Sequence, residues 1–384
     1  MMNKWLNVRA VTQFDKLLEH QTQRLLHRLL KTSTQSGAFE GVEHEFLFAM
    51  ASTMLRLGYG YRLESEDDPF FTDAQLTFDR IVESMMFTNF YVNIFPALTY
   101  IPEWFPGTGW KRTGHEWRRH RWETLRALYE WTKRQVKAGT AEPSILKHLL
   151  EDDELIAGLT PEERDERLAE LSVSLYGGGT ETTSATLMKF VAAMVLNPDV
   201  HSKAQQEIDA IVGPLALPTM ADRGRLPYIH NVCLELLRWH PVAPTGIPHV
   251  CTQDDTYKGY DIQKGTIMYV FVCWSRRTRI TKFVDDNCHF KAISRNGDIY
   301  KNPDAFNPDR FVDLDVPHLP GFGWGRRKCP GMHFAESALF IMVSSLLASF
   351  TFTKKLDDEG KEIIPKIEGA ANALSLWVDF TGIS

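Results

Sequence analysis

Apolar residues recur at helical spacing from residue 11 to residue 239, and strand signals are confined to the residues beyond 239. That order constrains the fold more than any other feature of the chain. Phe14, Leu17, Leu18, Leu25, Leu26, Leu29 and Leu30 mark a first helix over 11–31, because positions three and four apart share one helical face. The same spacing predicts helices over about 42–57, 73–92, 113–137, 160–196, from Pro198 to Gly213, and over 226–239. Gly58-Tyr59-Gly60, Pro96, Pro102, Pro106-Gly107 and Asn197-Pro198 supply the breaks. Thr160-Pro161-Glu162-Glu163 reads as a helix start, with an N-cap hydroxyl, a first-turn proline and acids at the positive end of the dipole.

Tyr257 to Asp261 followed by Gly265 to Phe271 reads as a hairpin, and residues 350–354 and 362–380 as short strands. Strand and helix do not alternate, which argues against a doubly wound sheet. The fold expected is mainly α with small β pieces, in one domain over 1–384.

Hydrophobic residues make up 43% and charged residues 24%, the usage of a globular chain rather than a disordered one. A formal net charge of -6 argues against a protein that tracks nucleic-acid phosphates. Five scattered cysteines do not read as a disulfide framework, and neither C-x-x-C nor H-E-x-x-H occurs. The apolar stretch from Ala335 to Phe350 is broken by Glu336 and serines. It falls short of the roughly 20 residues a membrane span needs, so a buried helix and no membrane anchor are expected.

The most specific stretch is Phe322-Gly-Trp-Gly325-Arg-Arg327-Lys-Cys329-Pro-Gly331. Chance would match its five fixed positions with a probability of roughly one in ten thousand. Glycines at 323, 325 and 331 let backbone approach a large flat ligand, and the helix after Gly331 points its amides toward Cys329. A glycine-rich surface loop with an incidental cysteine is the plain alternative. Leu175-Tyr-Gly177-Gly178-Gly179-Thr180-Glu181-Thr182-Thr183 lies inside a helical pattern. Each interior glycine there should cost about 1 kcal/mol relative to alanine, so something must require them. A flat ligand against the helix and oxygen in a local kink would do so.

Two further segments accompany these. Glu235 and Arg238 sit three apart, on one helix face, and Phe306-Asn-Pro-Asp-Arg310-Phe311 follows. Together the four segments resemble, in order and spacing, the cytochrome P450 family of haem-thiolate monooxygenases. The resemblance implies the P450 fold, a helical bundle around haem with small β-sheets, and haem b (iron protoporphyrin IX) held axially by Cys329. It implies that Arg327 pairs with a propionate, that Phe322 packs beside the sulfur, and that Gly325 and Gly331 shape the loop. Glu181 and Thr182 fall at the acid and alcohol positions that relay protons for oxygen activation. Glu235, Arg238 and Arg310 fall at a buried structural triad. His240-Pro-Val-Ala-Pro-Thr-Gly-Ile-Pro-His249 falls beside the haem, with Val242, Ala243, Thr245 and Ile247 as pocket residues and His249 reaching a propionate.

Two departures qualify the resemblance. Family members are usually about a hundred residues longer at the front, so the chain is expected to lack the N-terminal portion, including a roof over the substrate pocket. Residues 272–291 interrupt the pattern and read as an insertion or a read-through intron. The resemblance implies insertion of one atom of O2 into a small apolar organic substrate, in fungal secondary metabolism or detoxification. Electrons would come from NADPH-cytochrome P450 reductase, since no P-loop or Rossmann fingerprint is present. The family usually resides on the endoplasmic reticulum membrane, facing the cytosol. A truncated, catalytically silent haem binder is the alternative.

Overall fold

The computed structural model describes residues 3–33, 41–85, 89–152, 158–243, 246–268, 293–357, 359–369 and 376–379. In chain order the helices are α1 (Asn3–Leu6), α2 (Asp15–Ser33), α3 (Val42–Tyr59), α4 (Pro69–Met85), α5 (Tyr91–Ile94), α6 (Gly109–Ala138), α7 (Ile145–Glu151), α8 (Pro161–Leu196), α9 (Pro198–Ile211), α10 (Pro227–Trp239) and α11 (Met332–Ser349). Strands β1 (His249–Val250), β2 (Asp255–Tyr257), β3 (Tyr260–Ile262), β4 (Ile267–Met268), β5 (Lys366–Gly369) and β6 (Leu376–Asp379) form antiparallel pairs β1–β4, β2–β3 and β5–β6. The chain is mainly helical, as its periodicity requires.

Three helices begin at a side-chain cap that the sequence provides. The Thr160 hydroxyl accepts from the Glu163 amide at 3.2 Å, and the Glu163 carboxylate accepts from the Thr160 amide at 3.0 Å. This reciprocal box satisfies two donors that the first turn of α8 would otherwise leave open. α4 starts at Pro69, earlier than its apolar spacing suggests, because the Asp68 carboxylate accepts from the Phe70 amide at 2.9 Å. It ends at Met85, and α5 is a separate turn. α7 was not legible in the apolar pattern; Ser144 caps it by accepting from the Lys147 amide at 3.2 Å.

The expected hairpin is paired differently. Tyr257 pairs with Tyr260 around Lys258 and Gly259, both at positive φ (50° and 84°), so β2 and β3 close on a two-residue turn. Such turns match the right-handed twist of the flanking strands. β4 pairs instead with β1, His249 opposite Met268 and Val250 opposite Ile267. Residues 350–354 form no strand, whereas β5 and β6 lie within the predicted 362–380. The segment 272–291 lies outside the described residues.

The chain comprises two compact units. The first contains residues 1–29, 41–184 and 333–335. Its core is built from the inner faces of α2, α3, α6 and α7: Leu18, Leu25, Phe46, Met50, Leu55, Leu125 and Leu146 are all buried. The second contains residues 30–40, 185–332 and 336–384, with Phe190, Ile229, Val232, Leu236, Met342 and Leu346 in its core. Among the described residues α11 alone has the length and composition to cross a membrane, and 67% of that window is buried in protein.

Candidate functional site

In the second unit, Glu235 anchors a fully buried ion cluster. Arg238, one turn further along α10, donates from Nε and Nη2 to the two Glu235 oxygens, each at 2.7 Å. Arg310 donates from Nε to both oxygens at 3.1 Å. The guanidinium groups spend their other donors on backbone carbonyls. Arg238 reaches Ser294 and Pro303 at 2.8 Å and Ala305 at 3.1 Å; Arg310 reaches Lys301 at 2.8 Å and Ala305 at 3.2 Å. A buried charge set is tolerable only when its lone pairs and protons are satisfied in this way. The cluster therefore fixes the otherwise irregular segment 294–310.

From there the order is passed on to the cysteine loop. Arg238 lies over the Tyr300 ring at 5.3 Å, and the Tyr300 hydroxyl donates to the Pro317 carbonyl at 3.0 Å. His318 packs edge-on against Phe311 and His230. Pro320 then opens the loop, its carbonyl accepting from the Gly323 amide at 3.0 Å. The Cys329 amide closes it onto the Phe322 carbonyl at 2.8 Å. Gly323 and Gly325 hold φ of 77° and 55°, a region costly for residues with a side chain. Gly331, at φ −84°, is the N-cap of α11 and needs no such freedom.

Cys329 is free and exposed at the end of this loop. Neighbouring protein atoms still displace enough water to push its thiol upward, while a hydrogen bond from the Gly331 amide pulls it down. Phe322 is half-buried, and Arg327 is exposed, with no ion-pair partner among the described residues. Val242 and Ala243 are half-buried, Ile247 and His249 are exposed, and Thr245 lies outside the described residues. Among the described residues no group of three His, Cys, Asp or Glu side chains could hold a metal ion. A lone thiolate of this kind suits an iron whose other ligands come from a macrocycle.

In the first unit, two of the α8 glycines have a cause other than a flat ligand. A Cβ on Gly177 would come within 2.9 Å of the Phe78 ring on α4, and one on Gly179 would overlap Met54 Sδ on α3. Both are needed for close helix packing. Gly178 alone meets open space, and Thr182, one turn on, is exposed beside it with its hydroxyl donating to the Gly178 carbonyl at 2.7 Å. α8 runs through this stretch as one continuous helix, so the expected kink is not a break in it.

Glu181 turns to α4, where Gln75 Nε2 donates to its Oε1 at 2.7 Å. Burial pushes its carboxyl above the ordinary range; the Gln75 bond opposes this, and Asp79 and Glu43 reinforce it. Gln75 carried no signal in the sequence, since its partner lies 106 positions away. Tyr300 was equally silent.

A mainly helical protein that presents one free cysteine on a glycine-shaped loop, braced by a buried Glu–Arg–Arg cluster, has the makings of a haem-thiolate protein. The Cytochrome P450 family model matches residues 1–279 and 288–372, and the chain belongs to that family. It is 36% identical to cytochrome P450 monooxygenase claR of Ampulloclitocybe clavipes over 95% of its length, and 35% identical to cytochrome P450 monooxygenase 208 of Postia placenta over 94%. It spans 64% and 66% of those two relatives. A zebrafish cytochrome P450 solved with progesterone superposes with a TM-score of 0.76 at 22% identity, covering all of this chain and 80% of that one, which shows the shared fold.

Proposed function

We propose that the chain binds haem b through Cys329 and acts as a monooxygenase toward a small apolar organic substrate. One observation carries the reading: Cys329 is an exposed, unpaired thiol on a loop whose backbone is already closed at Phe322. The donor set fits the cofactor, since a single thiolate is offered and no competing cluster stands among the described residues. Bound haem supplies the activation of dioxygen, one atom passing to substrate and the other leaving as water.

The chain's own residues do the rest. Cys329 gives up its proton on ligation, and the Gly331 amide favours the charged sulfur. Phe322, half-buried and joined to Cys329 through the backbone, is the residue that would limit water at the sulfur on this reading. Arg327 offers an unspent guanidinium to one propionate, and exposed His249 an imidazole to the other. Burial favours the protonated form of the Glu181 carboxyl, and Thr182 presents a hydroxyl on the open face by Gly178.

NADPH-cytochrome P450 reductase is the electron donor on this reading. Family members are often membrane-associated, and that is the proposed setting. The proposed role is in secondary metabolism or detoxification.

The test is the optical spectrum of the reduced, carbon-monoxide-bound protein, for the parent and for Cys329→Ala. The red-shifted band of thiolate-ligated iron is expected in the parent and absent from the variant. Haem bound equally well by both overturns the proposal. The band without substrate turnover leaves a silent haem binder.

A further inference from the structure

In the first unit, α2, the end of α3 and the residues just beyond it line a cavity of about 700 Å³. Its lining includes no residue of the cysteine loop or of α8. The wall beyond α3 is turned back at Gly60, where φ is 73° and a Cβ would come within 2.9 Å of the Glu142 carbonyl oxygen. Leu63 is fully buried on this wall, and Arg24 of α2 donates from Nη2 to its carbonyl at 3.1 Å. Arg24 Nη1 lies 3.5 Å from the Ser52 hydroxyl on α3, which donates in turn to Gln21 Oε1 on α2 at 3.2 Å. Side-chain bonds therefore hold all three walls in place.

What those bonds leave over is a set of donors. Gln21 is buried and lines the cavity; Ser52 takes its Oε1, while its Nε2 has no partner among the described residues. Arg24 is half-buried and meets no carboxylate among them, so part of its guanidinium is unspent. Donors shielded from water in this way gain from an oxygen that can accept from them, and most from a charged one. Arg56 and Arg62 add two cations, which share the Glu142 carboxylate at 3.2 and 3.5 Å. Glu64 is the one acid in the described lining, so a single positive charge is left over with His20 neutral. One excess charge calls for a monoanion, and the planar fork of Arg24 for a planar acceptor. Leu17 and the arginine methylenes supply an apolar wall beside them. The structure assigns to this cavity a binding site for a small organic carboxylate, its oxygens on Arg24 and Gln21 and its apolar body against Leu17. The volume is within the range of roughly 300–1,000 Å³ that such ligands occupy.

Calorimetric titration of the haem-loaded full chain with benzoate tests the site, with benzamide as the neutral isostere and inorganic phosphate as the rival anion. The readout is binding, so it does not depend on turnover. Saturable benzoate binding is expected, with benzamide at least about tenfold weaker. Arg24→Met should weaken benzoate by about tenfold or more, and Arg24→Lys should not restore it, because a point charge cannot present the fork. Arg24 also holds Leu63, so two exposed substitutions keep the test free of a folding defect. Arg62→Gln should weaken benzoate roughly two- to threefold, and Glu64→Gln should tighten it by about the same factor. Four results overturn the site: no saturable benzoate binding, parental affinity in Arg24→Met, parental affinity in both exposed variants, or benzamide binding as tightly as benzoate. Phosphate binding more tightly than benzoate overturns the assignment to a carboxylate.

Discussion

Arg310 Nε stands 3.1 Å from each oxygen of Glu235, although the two residues are 75 positions apart. The pair joins α10 to the segment just before the cysteine loop. Glu235 also accepts from the Asn307 amide at 2.8 Å, so one carboxylate serves two arginines and a backbone donor. Glu235→Gln should therefore destabilise the protein by roughly 3–5 kcal/mol, because it leaves two buried guanidiniums short of a counter-charge. Denaturant unfolding followed by circular dichroism measures this.

The three α8 glycines should respond differently to alanine. Gly177→Ala and Gly179→Ala push into Phe78 and Met54, and overpacking of this kind costs about 1–3 kcal/mol. Gly178→Ala meets nothing and should stabilise the haem-free chain by up to about 1 kcal/mol through helix propensity. The same methyl crowds the open face, so haem affinity or substrate binding should fall. Thermal melts with and without haem separate the two effects.

On the cysteine loop, Gly323→Ala and Gly325→Ala force a side chain into the left-handed region, at about 1–2 kcal/mol each. Gly331→Ala carries no such backbone cost; its Cβ would rest 3.8 Å from Cys329 Sγ, an ordinary contact. Haem retention on gel filtration should drop for the first two, whereas the third should keep its haem with an altered spectrum.

How much of this was legible in the sequence depended on the range of the interaction. The Thr160–Glu163 box is local and could be read directly, as could the long helices, whose burial follows apolar spacing. The loop around Cys329 was legible because its glycines and cysteine are contiguous. The Glu235 cluster needed family resemblance to bring in Arg310 from a distant segment. The Lys258-Gly259 turn was missed because its first residue is not one of the usual turn formers, and that error carried the strand pairing with it. The glycines of α8 were assigned to a ligand when two of them answer to side chains on α3 and α4, which no local pattern announces.

His240, at the end of α10, should make stability depend on acid. Burial depresses its imidazole to about 3, with Arg295, Lys189 and Arg238 adding like charge. An unfolded chain binds the proton near pH 6.5 and the native chain does not, so stability is complete above that pH and falls as pH drops toward 3. The slope should reach up to about 1.4 kcal/mol per pH unit. His240→Gln should flatten the curve across that window, as urea midpoints at a series of pH values would reveal.

The Tyr300 phenol works as a tie-rod, gripped at its ring by Arg238 and at its oxygen by Pro317. On the proposed reading, the loop that offers Cys329 to iron is braced through Tyr300 by contacts that involve no cofactor. That bracing also means that electronic properties at the sulfur are adjustable from a distance. If Cys329 ligates iron as proposed, shortening the rod by a single atom, as in Tyr300→Phe, should shift the optical bands of the bound haem while the proposed haem-binding residues stay the same.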